Sequence, residues 1–120
     1  MANPAIKLLL GELNQSSKSI EASAVMTRDG LAIESLLSQG VDPDRLSAIS
    51  AAMLSLAEKA SKDLNRGELE QVLIHGKSGF VLMVQVGKGA VLAVVSKFDS
   101  RLGMLLHEAK VAAERIAQAL

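Results

Sequence analysis

Two apolar runs leave this chain few folds to choose from. Phe80-Val81-Leu82-Met83-Val84 and Ala90-Val91-Leu92-Ala93-Val94-Val95 are apolar at both odd and even positions. Successive side chains of a strand point to opposite faces, so such a strand is covered on both sides. Gly87 and Gly89 part the two runs, and a connection that short implies a hairpin. The pair predicts the middle of a sheet with a layer of helices on each face.

The remaining segments supply those layers and further strands. Asn3-Pro4 has the form of a helix start, and Ile6, Leu9, Leu10 and Leu13 give the helix an apolar face that ends near Asn14-Gln15-Ser16-Ser17. Residues 20–27 and 31–37 flank Arg28-Asp29-Gly30, and Asp-Gly between two such runs predicts an antiparallel hairpin. Asp42-Pro43-Asp44 opens a long helix over residues 42–64, which Asn65-Arg66-Gly67 stops. Residues 68–75 form a third strand-like run, polar enough at Glu68-Leu69-Glu70-Gln71 for an edge or an interface. Asp99 or Ser100 is placed to cap a last helix with Leu102, Leu105, Leu106, Ala109, Ala112, Ala113, Ile116 and Leu120 on its apolar face. The expectation is one α+β domain over residues 1–120, in the order α-β-β-α-β-β-β-α. Its five antiparallel strands lie between the central helix and the two terminal ones.

The long helix has two unlike sides. Leu46, Ile49, Met53, Leu56, Ala57, Ala60 and Leu64 recur at three- and four-residue spacing and predict the side that meets the core. The far side carries Ser47, Ala48, Ala51, Ala52 and Ser55 over its middle turns, where a solvated face carries Lys, Glu or Arg. Either alanine stands there as the best helix former on a wet face, or that side receives another backbone at close range.

Composition removes several classes of function. The chain has 13 basic and 13 acidic side chains and a net charge of zero. That balance argues against a broad electrostatic surface for nucleic acid and suits a chain that self-associates. With no cysteine, thiolate catalysis and Cys-ligated zinc are excluded. Aromatic residues make up 2%, which disfavours base-stacking and ring-lined pockets. No secretory signal is visible at the N-terminus and no apolar run approaches ~18 residues, so the expected location is the cytoplasm, without membrane insertion.

No catalytic, cofactor or metal residue is assigned. His75-Gly76-Lys77-Ser78-Gly79 contains Gly-Lys-Ser, but Gln71 stands where a phosphate loop needs its first glycine and a strand follows instead of a helix. The reading is a hairpin turn. His75 and His107 have no ligand-spaced partner, and the serines lack a nucleophile-elbow setting. Glu58 beside Lys59 and Lys62, Glu108 beside Lys110 and Glu114 beside Arg115 are expected to be solvated surface pairs.

The stretch from Gly79 to Gly87, the run from Ala90 to Val94 and Leu102-Gly103-Met104-Leu105-Leu106-His107-Glu108-Ala109 resemble the Roadblock/dynein-light-chain (LC7) family, particularly its short bacterial and archaeal members. Arg28-Asp29-Gly30-Leu31 and the alanine- and serine-rich central helix match the same family. The resemblance implies a homodimer in which central helices lie side by side and the strands after them pair. Carried onto this chain, those strand residues are Glu68, Leu69, Glu70, Gln71, Val72, Leu73 and Ile74. It also implies small Ras-like GTPases as partners, on scaffolds or through activators similar to the gliding protein MglB. Their docking side corresponds here to Ala48, Ala51, Ala52 and Ser55. The resemblance thus implies a non-enzymatic homodimeric regulatory or scaffold module that binds a small Ras-like GTPase, with stimulation of its GTP hydrolysis as the step left open. The alternatives are an adaptor without effect on nucleotide turnover and a small-ligand sensor.

Overall fold

The computed structural model describes residues 3–38, 40–97 and 101–120. Helix α1 is Pro4–Gln15, strands β1 and β2 are Ile20–Thr27 and Ala32–Leu37, and helix α2 is Pro43–Asp63. Strands β3, β4 and β5 are Gln71–Gly76, Gly79–Val86 and Ala90–Lys97, and helix α3 is Leu102–Ala119. The five strands form one antiparallel sheet in the order β2-β1-β5-β4-β3. The expected architecture is thus the observed one, with the doubly apolar β5 at its centre and β4 next to it.

Each face of the sheet has its own core. On one, α1 and α3 place Ile6, Leu10, Leu13, Leu105, Ala109 and Ile116 over Val25, Phe80, Leu82, Leu92 and Val94. On the other, α2 contributes only Leu46 and Leu54 to a smaller core with Ala24, Met26, Met83, Val91 and Ala93. A fully buried Leu or Ile is worth roughly 1.5–3 kcal/mol, so α2 is the less strongly held layer.

Local signals set most boundaries. Asn3 Oδ1 accepts from the amide of Ile6 at 3.2 Å, and Asp42 Oδ1 from that of Asp44 at 3.0 Å, so both N-caps stand where the sequence puts them. Asn65 takes a left-handed φ of 56° just past α2, the conformation that ends helices. The expected caps Asp99 and Ser100 lie outside the described residues. Two boundaries differ from expectation. Leu31 is outside β2, and Glu68, Leu69 and Glu70 precede β3 rather than belong to it. Gln85 Nε2 donates to the Leu69 carbonyl at 2.9 Å, so a side chain occupies the backbone acceptor that a longer β3 would offer to a strand.

The Gly-Lys-Ser element is the β3–β4 turn. Glycine is required at Gly79, where φ is 155° and an added Cβ would stand 2.0 Å from the Ser96 carbonyl oxygen.

Candidate functional site: the outer side of the central helix

The seat of α2 corrects the sequence reading of its faces. Leu46 is buried as expected, but its buried companions are Ser47, Ser50 and Leu54. Ile49, Leu56 and Leu64 are 47%, 64% and 68% exposed, Ala60 is exposed, and Met53 and Ala57 are half-buried. The stripe chosen from spacing is therefore turned by a fraction of a turn, about 100° being one residue. Ser47, assigned to the far side, is fully buried.

The cause lies in the β1–β2 connection. Gly30 N–H donates to the Thr27 carbonyl at 3.0 Å and Thr27 N–H to the Leu31 carbonyl at 2.8 Å, which closes a tight turn. Gly30 has φ 92° and lies directly against α2. A Cβ there would be 3.3 Å from Ala51 Cβ, 3.4 Å from the Ser47 carbonyl oxygen and 3.5 Å from Ala48 Cα. So close an approach is possible only over small side chains. Part of the small-residue side of α2 thus serves the chain's own turn.

Arg28 fastens that turn. Its Nη2 donates to Glu58 Oε1 on α2 and its Nη1 to the Lys88 carbonyl at 3.3 Å, while its backbone N–H donates to the Gly89 carbonyl at 3.3 Å. The β1–β2 turn, the β4–β5 turn and α2 therefore meet on one side chain. Glu58 is not paired with the neighbouring Lys59 or Lys62 as expected. Lys59 instead bonds Asp63 at 3.1 Å, and Arg115 bonds Glu12 at 2.8 Å across two helices. Spacing along one helix does not reveal partners on other elements.

Of the residues assigned to docking, Ala48, Ala52 and Ser55 are exposed and Ala51 is half-buried at the margin of the turn. Leu31 follows Gly30 at the same margin and is 68% exposed. The sequence reading placed Leu31 in a strand and so missed it; the available signal was an apolar residue directly after a turn glycine. On the adjoining arc, Ile49 and Leu56 are bare, and Met53, like Val72 and Ile74 of β3, is half-buried at the edge of the smaller core. Strand β3 is the last strand of the sheet and lies against α2. Within β3, Leu73 and Gln71 are exposed while Val72 and Ile74 are half-buried.

Beneath α2, the hydroxyls of Ser47 and Ser50 are buried without a hydrogen-bond partner among the described residues. Elsewhere, an open groove of about 310 Å³ runs between α3 and the β3–β4 pair, lined by Glu70, Gln71, Gln85, Lys110 and Glu114 among others. A second, of about 520 Å³, lies between residues 16–20 and the start of α3. The second has Ser16, Ser17 and Ser19 on its wall with Lys18 and Glu108, but Ser16 Oγ donates to the Leu13 carbonyl at 2.7 Å and Ser17 Oγ accepts from the Ser19 amide at 3.1 Å, bonds that close the end of α1. His75 lies against Phe80 with ring centroids 4.5 Å apart and the ring planes tilted by 36°, and His107 is on the exposed side of α3. Among the described residues, no three His, Asp or Glu are grouped as metal ligands, and no helix is long and apolar enough to cross a membrane.

The Roadblock/LC7 domain model matches residues 6–96. The chain belongs to the Roadblock/LC7 family. It is 37% identical over 111 residues to the uncharacterized protein MJ1340 of Methanocaldococcus jannaschii, covering 92% of this chain and 96% of that one. The Roadblock/LC7 fold recurs in the MglB structure from Myxococcus xanthus, with a TM-score of 0.89, 18% identity and coverage of 98% and 96%. The Roadblock/LC7 domain from Streptomyces avermitilis superposes with a TM-score of 0.86 at 21% identity, covering 93% of this chain and 94% of that one. MglB is also seen in a tetrameric arrangement, so a Roadblock/LC7 fold self-associates in that protein.

Proposed function

We propose that residues 1–120 act as one Roadblock/LC7 domain, a cytoplasmic, non-enzymatic homodimer that binds a small Ras-like GTPase on the outer side of α2. The observation that carries this reading is the bare, uncharged middle of α2. Ala48, Ala52 and Ser55 are exposed there beside Leu31, with Ala51 at the margin. Family membership supports the partner class. In the dimer, the Ile49–Leu56 arc and the β3 edge meet their equivalents on a second copy, with Glu68, Leu69, Glu70, Gln71, Val72, Leu73 and Ile74 along the seam. That leaves the alanine side free for the GTPase.

Any effect on hydrolysis is positional, exerted by holding the GTPase's own groups in place. Arg28, at the hairpin tip, is occupied by Glu58 and the Lys88 carbonyl, which speaks against its use as an arginine finger.

Ala52→Arg and Ser55→Arg test the site, because each adds bulk and charge at an exposed position away from the residues on which Gly30 rests. Titration calorimetry with the GTP-loaded GTPase should show at least a tenfold loss of affinity in each. Unchanged binding in both would sink the docking claim. Single-turnover hydrolysis with and without the protein then separates a regulator from an adaptor that leaves turnover unaltered.

A further inference from the structure

We propose that Arg28 is a pin that sets the seat of α2 on the sheet, and that its release lets α2 shift as a unit while the other layers stay in place. The proposal goes beyond the docking reading and stands whether or not the partner is a GTPase.

The surfaces beneath α2 are only weakly keyed. The sheet offers Ala24 and Ala93, which are partners in the β1–β5 register, beside Val91 and the flexible side chains of Met26 and Met83, and α2 offers Ser47 and Ser50 beside Leu46 and Leu54. Short or adaptable side chains interlock little, and interlocking is what stops one packed element sliding on another. Only Leu46 and Leu54 of α2 are large and buried. No hydrogen bond from the Ser47 or Ser50 hydroxyl fixes the register either.

The fixed point lies at the flank. Among the described residues, the Arg28–Glu58 pair is the one ion pair that ties α2 to another element, since Lys59–Asp63 lies within the helix. The same guanidinium holds the Lys88 carbonyl and the same residue's N–H holds that of Gly89. The two hairpin tips therefore act as the frame, and Glu58 is the point at which α2 is fastened to it. Gly30, two residues on, rests on Ser47, Ala48 and Ala51, so a change at the pin reaches the small-residue side directly.

Hydrogen exchange with mass-spectrometric readout on the whole chain, at one protein concentration, tests this without any partner. In Arg28→Ala and in Glu58→Gln, amides of α2 should exchange about two- to fivefold faster, the range expected for a partly exposed charge pair. Amides of α1, α3 and β5 should keep their wild-type rates, and the double variant should match either single one. Unchanged exchange in α2, equal acceleration of every element, or additive effects in the double variant would each overturn the proposal. None of these results depends on GTPase binding, so the pin and the docking site fail separately.

Discussion

Replacing Ser50 with alanine should make the protein more stable, although it removes a polar group. Ser50 is fully buried under α2 and its hydroxyl has no partner among the described residues. A buried hydroxyl left unbonded costs about 1–3 kcal/mol. Alanine also exceeds serine as a helix former by roughly 0.5 kcal/mol. Taking the lower figure for the hydroxyl, Ser50→Ala gains about 1.5 kcal/mol, which for a chain of this size raises Tm by roughly 6 °C. Ser47→Ala should behave alike, since it shares both properties. The two lie one turn apart, so their effects need not add. Urea unfolding followed by circular dichroism measures the change, at a fixed protein concentration because the stability of the proposed homodimer would depend on concentration. A lower urea midpoint in both variants would refute the reasoning. The hydroxyls would then be making bonds in solution, and α2 would be seated differently.

Two further outcomes follow from single residues. Gly79→Ala should cost more than about 2 kcal/mol, because its Cβ would collide with the backbone oxygen of Ser96 at a φ that alanine rarely adopts; a midpoint within error of wild type would show that the β4–β5 start can relax. Leu56→Asp should leave the fold intact, as Leu56 is largely exposed, yet convert a dimer to a monomer in light scattering on a sizing column, and a wild type that is already monomeric at micromolar concentration would remove the dimer.

Most of the fold was legible in the sequence, for reasons that can be named. The apolar runs of β4 and β5 forced a covered sheet, Asp29-Gly30 and Gly76–Gly79 marked hairpins, and Asn3-Pro4 and Asp42-Pro43 marked helix starts. These are local signals, in which backbone conformation decides the residue. The ion pairs were not legible. Glu58 bonds Arg28 from thirty residues away, and no spacing rule covers a contact that depends on where a turn lands. For the same reason Leu31 was missed beside the docking side.

The misreading of α2 is the more informative failure. Periodicity assigns the most apolar stripe to the core because burial of large side chains is the larger gain. Here the sheet side holds Ser47 and Ser50, while Ile49 and Leu56 stand outside. A single chain gains nothing by that choice, since it strands two hydroxyls and bares Ile49, Leu56 and Leu64 at once. The choice becomes favourable when another surface covers Ile49 and Leu56, because their burial then offsets the cost of the serines. Within the chain, the helix's sequence is thus a compromise between a turn that needs small residues at 47, 48 and 51 and a sheet that takes Leu46 and Leu54; the proposed homodimer would add a third demand by covering Ile49 and Leu56. Pattern reading sees only the sum of these demands. A sequence reader facing a helix whose apolar stripe is clear, but whose remaining face lacks charge, should therefore test a seating rotated by about one residue before settling which side is the core.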